Sequence, residues 1–377
     1  MKILHVITSL DKGGAENHLT ILAKEQKKRG NDVSIFISKN SNYWLNSFKT
    51  SKIKVFKTKF FIEDNIINKS KKLLSDVDNL IDLINNIKPQ ILHAHLPYME
   101  IISYLSIFFS KHKPKFIITK HVDSDFLKGS ITQSRTFFGV LLTRILSSKA
   151  NKIIVISRAV KKYFLHKDFK IKSNKLKHIY YGLDNLKLFS KKEMLPIKIK
   201  IDKNTLVLGC IARLVPQKSI ENILISLSYL KNINLKLILV GKGPLKSKLK
   251  SMSKELKIDK RIVWINFIDN TDKFYKSIDV FVLTSLYEGL GMVFLEAMLS
   301  KKPIISSSSS AMKEIIRNNY NGLLVKPNNP YQLSQAIIKL RDKKLRTKLG
   351  NSGYKFVKRN FSIDQMYNNT QKVYLDI

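Results

Sequence analysis

Cysteine is almost absent from this sequence, and its absence excludes two kinds of site. The 377 residues include one cysteine, Cys210, which lies in the apolar run from Leu206 to Ile211. A single thiol can form neither a disulfide framework nor a cysteine-based zinc site, and a lone buried cysteine is typical of a reducing compartment. We therefore expect a cytoplasmic protein without thiol redox chemistry.

Long apolar runs are also missing. Met1 and Lys2 precede only the short run from Ile3 to Leu10, which is too brief for a signal-peptide core and lacks a small-residue cleavage site. A membrane-spanning helix needs roughly 18 to 20 apolar residues, whereas the longest candidate, Ile101 to Phe109, stops before Lys111. The pattern predicts a protein that stays in the cytoplasm or docks peripherally on the inner face of the cell membrane.

Acidic residues are scarce relative to basic ones. The chain has 68 lysine and arginine residues against 28 aspartate and glutamate residues, a formal net charge of +40. This excess suits nucleic acid or an anionic membrane surface. It is equally consistent with a composition that favours lysine everywhere and leaves it on solvated faces. Residues 101–200 hold 22 basic against 5 acidic residues, so the excess is large in the N-terminal half.

The rest of the composition is that of a globular α/β protein. Hydrophobic residues make up 44% and charged residues 25%, and the length allows two domains with ample cores. Predicted strands alternate with predicted helices, which favours parallel sheets with right-handed crossovers. The predicted strands are residues 2–8, 33–37, 53–56, 91–94, 116–119 and 152–156 in the first half, and 206–211, 235–240, 262–267, 280–283 and 303–305 in the second.

The stretch from Asp279 to Ser300 indicates a ligand site. A predicted buried strand, Val280 to Leu283, leads into a loop with Glu288 at the strand's mouth. Gly289 and Gly291 allow the backbone to pass close to a ligand. In open α/β sheets, the carboxyl end of a strand is where ligands bind.

A short helix is predicted from Met292 to Leu299. Its first N–H groups, at Leu290 to Met292, have no earlier carbonyl partner and can bind an anion. Glu296 is a charged residue in this apolar helix and needs a partner there. Carboxylates bind hydroxyls and N–H groups bind phosphate, so Glu288, Glu296 and the helix start together predict a nucleotide-sugar site. Alternatively, Glu296 only complements the helix dipole and Glu288 is a solvated loop acid.

Two cations follow another predicted strand. Arg213 and Lys218 lie between that strand, residues 206–211, and a helix that begins at Ile220. A guanidinium can contact two phosphate oxygens, and an ammonium adds a point charge near the helix start, so the pair fits a diphosphate.

The spacing of Glu288 and Glu296 resembles the E-x7-E motif of the retaining glycosyltransferases of the GT-B fold, family 4 (group 1). Arg213-x4-Lys218 is similar to the family's R-x4-K, and residues 240–244 are similar to its VG-x-GP. The resemblance implies an α/β GT-B fold, in which two doubly wound Rossmann-like domains face a cleft. It also implies transfer of a sugar with retention from a nucleoside diphosphate sugar, with a UDP-sugar favoured, to an acceptor hydroxyl.

The resemblance implies roles for individual residues of the second half. Arg213 and Lys218 stabilise the leaving diphosphate in place of a metal ion. Glu288 holds sugar hydroxyls and Glu296 holds the ribose hydroxyls, while Gly289, Leu290, Gly291 and Met292 line the donor site. Phe267 lies where the nucleotide base packs in the family.

The resemblance also covers the first half. Gly13 and Gly14 match a Gly-Gly loop that closes over the donor phosphate and sugar in the family, and His121 matches a histidine beside the transferred sugar. His121 therefore joins Glu288, Arg213 and Lys218 in the predicted catalytic set. The alternatives are that the glycines form a tight turn with positive φ and that His121 only makes structural hydrogen bonds.

A second acidic pair is interpreted differently. Asp123 and Asp125 form a D-x-D pair, which could hold Mn²⁺ or Mg²⁺. Two carboxylates without a further acidic cluster are weak evidence for a metal, so we interpret them as loop acids. The sequence predicts no metal and no cofactor besides the donor substrate.

Two positions depart from the family pattern. Glycine usually follows the lysine of R-x4-K, whereas this chain has Ser219, and since serine caps helices well we expect little effect. Gly-Gly normally precedes the glutamate that corresponds to Glu314, whereas Ser310 and Ala311 occupy those positions. This is the clearest departure from the family pattern, and it concerns the backbone near the phosphates.

The predicted domains are an acceptor-binding domain at residues 1–190, a nucleotide-sugar-binding domain at 200–362, and a C-terminal helix at 363–377 that returns to the first domain. A polar connector, residues 191–202, marks the boundary.

The predicted function is glycosyl transfer in the synthesis of a bacterial cell-surface polysaccharide or glycolipid. The acceptor is expected to be lipid-linked or an oligosaccharide, and the seven lysines of residues 161–177 are expected to contact an anionic membrane surface. The alternatives are a nucleotide-sugar 2-epimerase of the same fold and a basic nucleic-acid-binding protein. No recognised nucleic-acid module with interleaved aromatics is evident, so no nucleic-acid partner is predicted.

Overall fold

The structure, a computed structural model, describes residues 1–41, 43–58, 66–122, 137–183, 195, 202 and 204–377, without the side chains of 66–69. The chain divides into two compact units. The first comprises Met1–Asp184 and Phe361–Ile377, and the second comprises Asn185–Asn360. The predicted connector lies almost entirely outside the described residues.

The first unit contains a seven-stranded parallel sheet in the order β3-β2-β1-β4-β5-β6-β7. The strand order reverses between β1 and β4, so a ligand site is expected beyond the carboxyl ends of these two strands. The elements in chain order are β1 (Lys2–Ile7), α1 (Gly14–Lys28), β2 (Asp32–Ile37), α2 (Leu45–Thr50), β3 (Lys54–Lys57), α3 (Ile66–Ile87), β4 (Ile91–His95), α4 (Pro97–Phe109), β5 (Lys115–Lys120), α5 (Phe137–Lys149), β6 (Lys152–Val155), α6 (Arg158–Phe164) and β7 (Leu176–His178).

The second unit contains a six-stranded parallel sheet in the order β10-β9-β8-β11-β12-β13. Here the order reverses between β8 and β11. The elements are β8 (Leu206–Ile211), α7 (Ile220–Ser228), β9 (Leu235–Val240), α8 (Lys246–Glu255), β10 (Ile262–Ile265), α9 (Thr271–Lys276), β11 (Val280–Leu283), α10 (Met292–Leu299), β12 (Ile304–Ser307), α11 (Met312–Ile315), β13 (Leu323–Val325), α12 (Pro330–Lys339) and α13 (Lys343–Asn360).

The last helix, α14 (Ile363–Leu375), belongs to the first unit. It begins at Ser362, whose hydroxyl accepts a hydrogen bond from the Gln365 N–H and so caps the helix. Met366 and Tyr374 of α14 join Ile3 in one buried apolar cluster. Each buried side chain of this kind contributes roughly 1.5–3 kcal/mol, so this cluster stabilises α14 on the first unit.

The α/β fold class predicted from the sequence is confirmed. Buried β-branched runs form the central strands because their two faces are both covered by helices, as in other parallel sheets. None of the described helices combines the length and the apolar composition that a membrane span needs.

Candidate active site

The two loops predicted to bind the donor phosphates leave the second sheet side by side. β8 and β11 are direct neighbours, with Val280 opposite Leu208. They are also the strands at which the order reverses, so the loops of residues 212–219 and 284–291 meet at the carboxyl edge. This pairing brings Lys218 to Glu288 across 70 residues of sequence.

Lys218 and Glu288 form an ion pair. Nζ of Lys218 lies 2.5 Å from Oε1 of Glu288, and the two side chains are only 14% and 9% exposed. The Ser285 hydroxyl donates to the same oxygen at 2.7 Å. Both bonds go to Oε1, and Oε2 makes no bond to a described residue. One carboxylate oxygen is therefore held by the protein and the other can accept a ligand hydroxyl.

Further hydrogen bonds hold the Glu288 loop. Nε2 of Gln217 donates to the Tyr287 carbonyl at 2.9 Å, and the Leu286 N–H donates to the Gln217 carbonyl at 2.8 Å. After β12, the Ser310 hydroxyl donates to the Glu288 carbonyl at 2.9 Å. The loop is bonded on two sides, which is the support a pre-organised site requires.

Arg213 is exposed, and its guanidinium makes no hydrogen bond or ion pair with a described residue. The backbone around it is nevertheless held by the turn after β9. The Leu214 N–H donates to the Lys242 carbonyl at 2.8 Å, and a Cβ at Gly241 would lie 1.9 Å from the Ala212 oxygen. Only glycine allows this approach, so Gly241 helps to set the path of the chain at Arg213.

Helix α10 begins where the sequence predicts. Gly291 precedes it with φ of +76°, a left-handed conformation that favours glycine, and no side chain caps the helix. Gly289, Leu290 and Met292 are buried around this start. No side chain of a described residue therefore bonds the N–H groups at this helix start, which leaves them available to an anion.

Glu296 has the partner that its position in an apolar helix requires. The Tyr275 hydroxyl lies 3.1 Å from Oε2 of Glu296 and 3.0 Å from the Val293 carbonyl oxygen. Burial, together with the nearby carboxylate, raises the pKa of Tyr275 well above its usual value, so the hydroxyl remains a donor. Phe267 lies in the loop after β10 and is 47% exposed.

In the first unit, Gly13 and Gly14 form the start of α1. Gly13 has φ of −143°, which is extended backbone, and Gly14 is the first helical residue. The tight-turn explanation for this pair is therefore wrong, because neither residue has positive φ. Gly13 has no side chain with which to cap α1, and the Glu16 carboxylate lies against it, since a Cβ at Gly13 would lie 2.2 Å from Oε2 of Glu16. The helix begins near the carboxyl end of β1, one of the two strands at which the first sheet reverses.

His121 belongs to a hydrogen-bonded chain of buried side chains. Its Nε2 lies 3.1 Å from Nδ1 of His95, and Nε2 of His95 lies 3.1 Å from Nδ1 of His5. Nε2 of His5 lies 2.7 Å from Oε1 of Gln26. At the other end, Nδ1 of His121 lies 2.6 Å from the Tyr181 hydroxyl. The chain therefore links α1, β1, β4 and the ends of β5 and β7.

The amide oxygen of Gln26 assigns the protons along this chain. It can only accept, so His5 carries its proton on Nε2 and accepts on Nδ1. The same assignment follows for His95 and His121, and Tyr181 then donates to His121. Burial lowers the pKa of His5 to about 4 and that of His121 to about 3, so the rings are neutral near pH 7. Both ring nitrogens of His121 are thus bonded within the protein.

His5, His93 and His95 lie close enough to share a metal ion, since their ligand atoms are within 4.8 Å of one another. His93 bonds the Tyr374 hydroxyl at 2.7 Å and the Thr119 hydroxyl at 2.6 Å. All six ring nitrogens of the three histidines are therefore in hydrogen bonds, which a metal would have to displace. Asp123 and Asp125, the other metal candidates, lie outside the described residues.

Two known protein families match this chain. Residues 12–185 match the family described as Glycosyltransferase Family 4, and residues 191–356 match the family described as Glycosyl transferases group 1. The two matches together leave only short segments uncovered. The chain belongs to the group 1 glycosyltransferases of the GT-B fold.

Relatives of this glycosyltransferase come from archaea and bacteria. An uncharacterized glycosyltransferase of Methanocaldococcus jannaschii is 30% identical over 232 residues, which are 59% of each chain. The Staphylococcus aureus capsular polysaccharide biosynthesis glycosyltransferase CapM is 24% identical over 323 residues, or 80% of this chain and 81% of CapM. The chain thus has a bacterial relative in cell-surface polysaccharide synthesis, and it aligns with about three fifths of the archaeal relative's length.

A third relative and a solved structure complete the comparison. The Escherichia coli UDP-Gal:alpha-D-GlcNAc-diphosphoundecaprenol alpha-1,3-galactosyltransferase is 28% identical over 180 residues, which are 44% of this chain and 46% of that enzyme. The structure also aligns with the crystal structure of Anabaena HepE in complex with UDP-glucose. The alignment covers 100% of each chain, with a TM-score of 0.81 and 18% sequence identity. At this identity the likeness shows the shared fold.

The glycosyltransferase departs from the family pattern at Ser219. The predicted reason for a small effect, that serine caps the following helix, is wrong. Ser219 makes no capping bond to helix α7 and has left-handed backbone angles, φ 47° and ψ 49°. Its hydroxyl instead donates to Oδ1 of Asn328 at 3.3 Å. The chain therefore keeps the conformation for which glycine is suited and places serine in it. Ser310 does the same with φ of 44°, so this position keeps a glycine-like conformation.

Replacing Ser219 with glycine is expected to stabilise the second unit by about 1 kcal/mol, because a left-handed residue with a Cβ costs about 1–2 kcal/mol and the weak Asn328 bond offsets part of the gain. A domain of this size should then melt about 2–4 °C higher. Ser251→Gly on exposed helix α8 is the matched control and should lower stability by about 0.5 kcal/mol. A melting temperature that falls in Ser219→Gly would contradict the conformational explanation.

Several residues that hold the candidate site in place could not be predicted from the sequence. Ser285 and Ser310 look like ordinary loop serines, and Tyr275 lies on a different helix from its partner Glu296. The histidines offered an indication that was not used: His93 and His95 are two positions apart on a buried strand, so they project from one face of the sheet. Their neighbours across the sheet could not be known from that spacing.

Proposed function

We propose that this protein transfers a sugar, with retention, from a nucleoside diphosphate sugar to an acceptor hydroxyl, and that the donor is a UDP-sugar. The proposal rests on the side chains at the carboxyl ends of β8 and β11, where the strand order of the second sheet reverses. There, the Lys218–Glu288 ion pair leaves one carboxylate oxygen unbonded beside the uncapped start of α10. HepE, of the same fold, was solved in complex with UDP-glucose, which supports the choice of donor.

In this proposal, Arg213 and Lys218 stabilise the negative charge that develops on the departing diphosphate. Glu288 accepts hydrogen bonds from hydroxyls of the transferred sugar, and Glu296, positioned by Tyr275, accepts from the ribose hydroxyls. The bond from the anomeric carbon to the diphosphate oxygen breaks while the acceptor oxygen bonds to that carbon on the same face. The acceptor's proton passes to the departing diphosphate, so no side-chain nucleophile is required.

Release of nucleoside diphosphate from a panel of UDP-, GDP-, ADP- and dTDP-sugars tests this function. We expect UDP release from at least one UDP-sugar. We expect it to continue in excess EDTA, because Arg213, Lys218 and the start of α10 are proposed to do what a metal does elsewhere. Complete loss of activity with EDTA, restored by Mn²⁺, would make Asp123 and Asp125 the centre of a metal-dependent mechanism.

The alternative within this fold is nucleotide-sugar 2-epimerisation. It uses the donor without an acceptor and returns a nucleotide sugar. Release of free nucleoside diphosphate that rises when membrane lipid extract is added as acceptor supports transfer, whereas an isomerised nucleotide sugar without release supports the epimerase.

The acceptor is proposed to be lipid-linked, and the protein is proposed to dock on the inner face of the membrane. The E. coli relative is described as acting on a diphosphoundecaprenol-linked sugar. Of the seven lysines of residues 161–177, four are exposed: Lys162, Lys167, Lys170 and Lys172. Lys175 instead donates to the carbonyls of Ser148 and Ala150 at 2.6 and 2.8 Å and so holds the end of α5.

An apolar helix face lies beside these lysines. Phe137, Phe138, Leu141 and Ile145 of α5 are 77%, 70%, 40% and 41% exposed, and they recur at helical spacing on one face. The 3-10 turn Lys167–Phe169 packs against α5. An apolar helix face flanked by lysines is the arrangement that binds an anionic bilayer surface.

Replacing Lys161, Lys162, Lys167 and Lys170 with glutamine is expected to weaken binding to anionic liposomes tenfold or more, since each basic residue near such a surface contributes about 1 kcal/mol. Co-sedimentation should rise with anionic lipid and fall with added salt. The matched control changes Lys248, Lys250, Lys254 and Lys260 of the second unit to glutamine. Equal binding to neutral and anionic liposomes, or equal loss in both variants, would mean that the lysines are solvated surface.

A further inference from the structure

His18 is the one histidine of this buried group that lacks a hydrogen bond to a described residue. It lies on the second turn of α1 and is only 3% exposed. Its Nδ1 is enclosed without a partner, while Nε2 is not enclosed and makes no bond to a described residue. An enclosed polar atom without a partner costs stability, so its presence here requires an explanation.

The ring of His18 is held by stacking rather than by hydrogen bonds. It lies flat on the Tyr181 ring, with centroids 4.4 Å apart and 26° between the planes. It also meets the His121 ring edge-on at 5.5 Å. Tyr181 in turn donates to His121, so the hydrogen-bonded chain fixes the surface on which His18 rests.

The surroundings of His18 decide which nitrogen carries its proton. A proton on Nδ1 would bury an N–H without an acceptor, which folded proteins avoid more strictly than an unpaired acceptor. The proton is therefore on Nε2, the nitrogen that is not enclosed. Burial, with His121 and His5 nearby, holds the pKa of His18 well below its usual range, so the ring is a neutral donor near pH 7.

We propose that His18 supplies a side-chain contact to a sugar hydroxyl at the carboxyl edge of the first sheet, in addition to the contact predicted for His121, by donating from Nε2 to the hydroxyl oxygen. Without ligand, both ring nitrogens of His121 are bonded to His95 and Tyr181, so Nε2 of His18 is available to a hydroxyl without breaking a bond. His121 also positions Tyr181 and, through it, His18. This inference rests on the proposed function, and the hydroxyl belongs either to the transferred sugar or to the acceptor sugar.

Two substitutions at His18 separate binding from structure. His18→Phe keeps an aromatic ring on Tyr181 but removes both nitrogens. Since it also removes an enclosed unpaired atom, it should melt at or above the wild-type temperature. His18→Gln places an amide N–H near the position of Nε2 and should restore part of the activity. The matched control, His121→Phe, leaves Nδ1 of His95 and the Tyr181 hydroxyl without a partner and should lower the melting temperature.

UDP release is measured with the best UDP-sugar of the panel, first without an acceptor (hydrolysis) and then with octyl glycosides as acceptor probes (transfer). The affinity of the protein for UDP alone is measured separately. Loss of one neutral hydrogen bond should raise a KM about three- to tenfold in His18→Phe, with UDP affinity unchanged. A raised donor KM in hydrolysis identifies the transferred sugar, and a raised acceptor KM alone identifies the acceptor sugar. Unchanged hydrolysis with unchanged or undetectable transfer would overturn the proposal, as would activity lost together with stability.

A measurement on the ligand-free protein tests the inference separately from the proposed function. With ¹⁵N-labelled histidine, long-range nitrogen–proton spectra report the tautomer of each ring. We expect the proton of His18 on Nε2, exchanging with water faster than the Nε2 protons of His121, His95 and His5. A His18 protonated on Nδ1, or a faster-exchanging His121, would refute the inference even if the enzyme is active. If no donor is turned over, the proposed function fails and the ring spectra still decide this point.

Discussion

Alanine at Lys218 or at Arg213 is expected to lower the turnover number of this glycosyltransferase by about 100-fold or more. Donors that are aimed at developing negative charge in an enclosed site contribute on this scale. Lys218 is 14% exposed, so its charge is weakly screened, and Arg213 supplies the planar fork that a diphosphate can accept.

The two alanine variants should differ in stability. Arg213 has no bond to a described side chain, so Arg213→Ala should keep the wild-type melting temperature while turnover falls. Lys218→Ala removes the counterion of Glu288, a residue that is only 7% exposed, and should also lower the melting temperature. Adding Glu288→Gln to Lys218→Ala should restore stability without restoring turnover.

A distant lysine provides the control for both. Lys250→Ala changes an exposed lysine on α8 and should leave turnover and melting temperature unchanged. Near-normal turnover in both Arg213→Ala and Lys218→Ala would exclude a role for these cations in stabilising the diphosphate.

Replacing Glu100 with alanine is expected to lower the free energy of unfolding of the first unit by about 3–5 kcal/mol, the cost of breaking a buried ion pair from one side. Oε2 of Glu100 lies 2.5 Å from Nζ of Lys120, and the side chains are 1% and 6% exposed. Lys120 directly precedes His121, so this pair ties the end of β5 to α4.

An apolar replacement of the whole pair should be tolerated. Burial raises the pKa of Glu100 even though Lys120 opposes the shift, which indicates that attraction only partly offsets the cost of enclosing the two charges. Glu100→Leu combined with Lys120→Met should therefore recover most of the lost stability. Urea unfolding followed by hydrogen exchange of the β4 and β5 amides measures the first unit separately. A loss of less than about 1 kcal/mol in Glu100→Ala would show that the pair is well solvated.

Much of the second unit could be predicted from its sequence. The apolar run at Val280–Leu283 and the glycine before Met292 are local features, and the strand β11 and the helix α10 begin within a residue of the predicted places. The departure at Ser219 shows the limit of such reasoning. Serine is a good cap in general, but whether it caps depends on its φ, which the neighbouring loop sets at 47°.

The first unit was harder to interpret from its sequence, because its polar core joins residues that are far apart in the chain. His5 and His95 are 90 positions apart, and Gln26 reaches Tyr374 across 348 positions. No spacing rule connects them. The proton positions that follow from these bonds show that His121, predicted to contact the sugar, has both ring nitrogens bonded to protein atoms.

The sequence by itself determined the α/β class, the strands and helices, the cations and carboxylates at the strand ends, and the family, because each of these depends on residues within about one turn or one strand of each other. Only the tertiary structure decided which strands are neighbours. Because of the strand order, Lys218 contacts Glu288 and both ring nitrogens of His121 are hydrogen-bonded. For the same reason, Nε2 of His18 has no protein partner among the described residues. Such contacts depend on the three-dimensional order of the strands, which is not a property of any single segment.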